Sequence, residues 1–136
     1  MFVVGPATTL LYPSGPVHDV SRHHLFVVLA GPYGPPQQVL MVPICTIRSN
    51  SHDATCVLRK GEHVFIQHDS YVAYNLCRVE PVSKLLNGVH SNLFVDKGPI
   101  GEGIYWRIVN GLRKSPFTKP FAKDFFTEWD KQFSEN

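Results

Sequence analysis

The sequence predicts an α+β domain, a small Src-homology-3-like β-barrel or curled antiparallel sheet followed by C-terminal helices. Short β-prone runs, each closed by Gly, Pro or a polar cluster, occupy roughly residues 7–95. Helical spacing dominates only later, over roughly 101–133, so strands come first and helices second. A chain of 136 residues is one domain, large enough to bury a core of its own.

Ala7–Tyr12 is the first predicted strand, ended by the turn chemistry of Pro13-Ser14-Gly15-Pro16. Val17–His24 follows as a polar loop with three histidines, one aspartate and one arginine. Leu25–Leu29 is a continuous apolar run with β-branched residues, the mark of a buried strand. Residues 31–36 read as a turn-rich connection, and Gln38–Ile47 as the next strand. Pro43 inside that run implies an edge position or a bulge, because proline donates no ladder hydrogen bond. Cys56–Leu58 is a short strand after a polar loop.

Gly61–Arg78, reading GEHVFIQHDSYVAYNLCR, concentrates the polar chemistry. Val64-Phe65-Ile66 is β-prone, Gln67–Ser70 breaks the apolar pattern, and alternation returns from Tyr71 to Val79. A polar step between two strands is where a barrel edge or a site tends to sit. Beyond Pro81, Val82–Val89 reads as a short helix with Leu85 and Leu86 facing inward, and Leu93–Val95 as a short strand. Ile104, Ile108, Val109 and Leu112 have helical spacing. So do Phe121, Phe125, Trp129 and Phe133, an aromatic stripe that serves as core or as a docking face for another chain.

The net charge of +2 permits an anionic partner without demanding one. No apolar stretch is long enough to span a membrane, and Met1–Val4 is cut short by Gly5-Pro6 with no basic region before it, so a cytoplasmic protein is expected. Cys45, Cys56 and Cys77 are odd in number and lack CxxC spacing, which fits reduced, packed thiols.

Three chemistries compete for the polar residues. His52, Cys56, His63 and His68 are ligand types that zinc accepts, but their spacing matches no standard zinc pattern, and neither a metal nor a cofactor is assigned. Covalent hydrolysis lacks a Gly-x-Ser-x-Gly elbow, and Gly98, Gly101 and Gly103 do not form a phosphate-cradling motif. Metal-independent RNA cleavage asks for less: a base for the 2′-hydroxyl, an acid for the 5′-oxygen and a cation for the phosphorane. Arg22, His23 and His24 in one loop, Thr46 and Arg48 at a strand end, and His68, Asp69, Ser70, Tyr71, Tyr74 and Arg78 within Gly61–Arg78 offer these groups. The same side chains also suit a plainer role as turn, surface and packing residues.

Ser21–Leu29, Val39–Thr46 and Val64–Arg78, taken in that order, resemble the MazF/PemK (Kid, CcdB-like) toxin family. The likeness covers roughly Thr8 to Val95 and lacks the family's Gly-Arg-Arg-Pro loop. It implies a dimeric barrel with added helices that cleaves single-stranded RNA without metal and is neutralised by an antitoxin protein. On that likeness Arg22 takes the place of the phosphate-stabilising arginine and Thr46 that of the phosphate-contacting hydroxyl. His68 or Asp69 would then be the acid or base. His23, His24, Arg48, Ser70, Tyr71, Tyr74 and Arg78 would bind RNA. The alternative is a non-catalytic protein-interaction module of the same fold. Arg22→Ala is expected to abolish growth arrest and RNA cleavage while the circular-dichroism spectrum persists; undiminished toxicity would remove the assignment.

Overall fold

A computed structural model describes residues 2–14 and 23–134. Seven strands, β1 (Thr8–Pro13), β2 (His23–Tyr33), β3 (Gln38–Thr46), β4 (Val57–Leu58), β5 (Ser70–Val72), β6 (Arg78–Pro81) and β7 (Val95–Pro99), form one sheet. Helices α1 (Val82–His90), α2 (Glu102–Lys114) and α3 (Pro120–Ser134) pack around it. The architecture is α+β with an antiparallel sheet that does not close into a barrel. Its order is β4-β5-β3-β2-β1-β7, with β6 paired to the first half of β3. Among the described residues no helix is long and apolar enough to cross a membrane.

Strands β2 and β3 are buried on both faces, so their sequences are nearly continuous apolar runs. On one face Leu25, Val27, Leu40, Val42, Ile44 and Val72 meet Ile108, Val109 and Leu112 of α2 and Ala122 and Phe126 of α3. On the other, Leu10, Phe26, Val28, Val39 and Met41 meet Leu85 of α1 and Phe94. Two cores back to back on one central hairpin are what a chain with a single sheet and helices on both sides must build.

Several expectations from the sequence change. β2 runs through Gly31-Pro32-Tyr33, expected as a turn, because Gly31 at φ +107° absorbs a register shift and lets Tyr33 pair with Gln38. Pro43 lies in a central strand rather than at an edge. Its carbonyl accepts from the Ala73 N–H, on the flank where β3 passes from β6, whose first residue Arg78 lies opposite Met41, to β5, whose last residue Val72 lies opposite Ile44. N–H and C=O of one strand residue point the same way, so the missing donor falls in the gap between two partner strands. The predicted strand over Tyr71–Val79 is accordingly split by a 3-10 turn at Tyr74–Leu76. Val64 and Phe65 form a turn instead of a strand. Leu85 is buried as expected, but Leu86 is 40% exposed. In α3 the deeply buried line is Ala122 and Phe126; Phe125 and Trp129 flank it, and Phe121 and Phe133 are exposed.

Helix α2 carries Glu102 in its first turn and Arg113 and Lys114 in its last, each complementing the helix dipole. It docks through Tyr105, whose hydroxyl donates to the Leu29 carbonyl at 2.6 Å, and through Tyr74, whose hydroxyl donates to the Ile108 carbonyl at 2.7 Å. Gly111 is what admits the Tyr74 ring: a Cβ there would overlap the Tyr74 hydroxyl and Cζ. Gly111→Ala is therefore expected to destabilise the fold by about 2 kcal/mol, overpacking outweighing about 1 kcal/mol of gained helix propensity. The readout is a lower urea midpoint at unchanged slope; an unaltered midpoint would show that Tyr74 has room to move.

Candidate functional site

The strand pattern that fills the first core also ends it. Leu25, Ile44 and Val72 stand opposite one another across β2, β3 and β5. Side chains alternate with period two, so His23, Thr46 and Ser70 continue the same three rows one step further, onto the same face. There the apolar packing gives way to a cavity of about 280 Å³ lined by His23, His24, Thr46, Arg48, Gln67, His68 and Ser70 above Leu25, Ile44 and Ile66. His23, Arg48 and His68 are exposed, Thr46 and His24 half-buried, and Ser70 buried.

The far wall is the loop between β4 and β5. Buried Ile66 anchors it in the first core. At its base the Arg59 guanidinium meets the Asp69 carboxylate at 3.0 Å and the Lys60 N–H donates to the same carboxylate at 3.1 Å. The Arg59 N–H donates to Glu62, which is also paired to Arg107 of α2 at 2.6 Å. The Arg107 guanidinium donates in turn to the Val57 carbonyl, so α2, β4 and the loop are tied at one point. The loop tip crosses to the opposite edge of the sheet: Lys97 of β7 lies 5.5 Å above the Phe65 ring, and His63 bonds the Lys97 backbone. Burial holds the His63 imidazole below its ordinary range. The Ser70 hydroxyl donates to the His68 carbonyl at 2.8 Å and fixes the backbone that presents the His68 ring.

Of the residues singled out in the sequence, His23, His24, Thr46, Arg48, His68 and Ser70 converge on this cavity. Arg22 lies outside the described residues. Asp69 is not among the cavity's lining residues; it belongs to the loop-closing network, where the Lys60 N–H and the Arg59 guanidinium hold its carboxyl below the usual range. Tyr71 lines a different depression with His52 and Asp53, its ring 5.2 Å from that of His52. Arg78 lines a second cavity on the other face, its guanidinium 4.9 Å above the Tyr12 ring. Tyr74 is fully buried and offers no face to a base; burial pushes its hydroxyl far above the ordinary range. Phe65 and Gln67 were not among the residues singled out. Gln67 was visible as part of a polar break, whereas Phe65 was masked by its β-prone neighbours.

The zinc alternative loses its geometry. Among the described residues no three His, Cys, Asp or Glu side chains form a group able to hold a metal ion. His52 is engaged with the Ser49 carbonyl, His63 with the Phe65 N–H, and Cys56 is buried with its thiol pushed up by desolvation. Compared with family models, curated proteins and solved structures, the chain matches none. Tyr74→Phe is expected to cost about 1 kcal/mol of stability, since it removes one buried hydrogen bond, and to leave affinity for a single-stranded RNA oligonucleotide unchanged. Thermal melts and fluorescence anisotropy check the two halves; weakened RNA binding at unchanged stability would return Tyr74 to the site.

Proposed function

We propose that the protein is a metal-independent endoribonuclease acting on single-stranded RNA, in the manner of the MazF/PemK toxins that its sequence resembles. The observation that carries the reading is the meeting of His23, Thr46, Arg48 and His68 around one open cavity. In the reaction one imidazole takes the 2′-hydroxyl proton. The 2′-oxygen attacks phosphorus, and the other imidazole protonates the departing 5′-oxygen. The products are a 2′,3′-cyclic phosphate and a 5′-hydroxyl, with atoms and charge balanced and no metal in any step. The Arg48 guanidinium neutralises the phosphorane, and the Thr46 hydroxyl donates to a non-bridging oxygen. Ser70 acts through the His68 backbone as a positioning residue. A homodimer, a neutralising protein partner and a cytoplasmic setting belong to the same reading.

A second reading, a non-catalytic interaction module, draws on the exposed aromatics Phe117, Phe121 and Phe133 along the C-terminal segment. The two part company in one assay. Incubation with single-stranded RNA in excess chelator is expected to give cyclic-phosphate ends. His23→Ala and His68→Ala are each expected to slow cleavage by about 10²–10⁴-fold with unchanged melting temperature. Absence of cleavage by the parent protein would leave the interaction module as the better account, and cleavage by both variants at the parent's rate would remove the two histidines from the reaction.

A further inference from the structure

On the opposite face of the same strand ends lies a second cavity, of about 270 Å³. Its lining includes His24, Phe26, Asn75, Leu76, Arg78 and Lys119. Alternation explains why the two cavities are neighbours: His23 and Thr46 point to one face of β2 and β3, His24 and Cys45 to the other. His24 borders both cavities and stands at the lip between them. Its Nδ1 is 2.7 Å from the Ser14 hydroxyl, which orients the ring.

The second cavity is smaller than the roughly 300 Å³ at which pockets for drug-sized ligands begin, a scale suited to one planar ring system. Phe26 and Leu76 supply apolar walls, and Asn75, exposed on the 3-10 turn, supplies an amide that both donates and accepts. Arg78 is preorganised, held over the Tyr12 ring and 4.0 Å from the Glu80 carboxylate. Glu80 is itself fixed by the Tyr12 hydroxyl and by Lys84 at 2.6 Å. Lys119 adds a second cation at the rim. Apolar walls, a guanidinium, an edge-reading amide and a separate cation are the parts with which proteins hold an unstacked base and its phosphate.

From this arrangement we infer that the second cavity is the subsite for the nucleotide flanking the scissile phosphate. The strand would cross the lip at His24, its base seated against Phe26 and Leu76, its edge read by Asn75 and its phosphate held by Lys119. The inference rests on the RNA reading of the first cavity and adds where base preference arises.

The test uses the full chain and a fluorescent 2′-O-methyl hexanucleotide, which binds but has no 2′-hydroxyl to attack. Asn75 and Lys119 are exposed and lie outside the cleavage machinery, so Asn75→Ala and Lys119→Ala are expected to fold normally by circular dichroism. Lys119→Ala is expected to weaken binding about tenfold for every base sequence, with a shallower salt dependence. Asn75→Ala is expected to flatten the preference among oligonucleotides that differ at one position, while all of them still bind. Affinity and base preference equal to the parent's in both variants, or no binding by the parent, would overturn the subsite. A parent that binds and shows these variant effects but leaves cleavable RNA intact would sustain the subsite and remove only the catalytic reading.

Discussion

The absent amide hydrogen of Pro43, set in the middle of the central strand, is the constraint from which the rest of the molecule follows. A neighbouring strand running past it would leave one carbonyl without a donor. The chain avoids that cost by changing partners: β6 covers the first half of β3, β5 the last third, and a 3-10 turn bridges the interval. The Ala73 N–H satisfies the Pro43 carbonyl as the turn begins. That turn then points its residues in opposite directions. Tyr74 goes inward to lock α2 through the Ile108 carbonyl, while Asn75 and Leu76 go outward to the second cavity. One residue that cannot donate thus links sheet topology, helix docking and the shape of a surface recess.

A second constraint comes from the sheet's failure to close. An open sheet has edges, and an unprotected edge invites pairing with other chains. The loop between β4 and β5 reaches across and meets Lys97 on β7 through Phe65 and His63. Ion pairs at its base are exposed, so each is individually weak. The backbone donors drawn to the Asp69 and Glu62 carboxylates and the buried Ile66 side chain give the loop its definition. Asp69 thereby ties down the wall on which His68 stands.

The candidate site is built from positions that would be core if the strands were covered one step further. His23, Thr46 and Ser70 extend the rows of Leu25, Ile44 and Val72 beyond the reach of the helices. His23 and Thr46, placed this way, inherit the precision of a packed sheet while remaining open to water, which suits acid–base work that asks for fixed geometry rather than deep burial. The exposed aromatics near α3 lie outside the sheet; of Phe117, Phe121 and Phe133, the last packs edge-on against Trp129 with ring centroids 5.1 Å apart.

Local patterning was enough to establish the α+β class, the bounds of β1 and β3, all three helices and the polar step at Gln67–Ser70. These depend on periodicity and on proline and glycine chemistry, which act over a few residues. It also singled out His23, His24, Thr46, Arg48, His68 and Ser70, but only within a longer set of polar candidates. Their sorting from Asp69, Tyr71, Tyr74 and Arg78 needed the folded chain. Whether a tyrosine faces water or a helix carbonyl, and whether an aspartate meets a substrate or a backbone N–H, depends on what the far end of the chain packs against. Tyr74 meets Ile108 at a sequence separation of 34, and Tyr105 meets Leu29 at a separation of 76. No window of neighbouring residues holds that information, because long-range contact is set by the pairing of the strands and the docking of the helices on them.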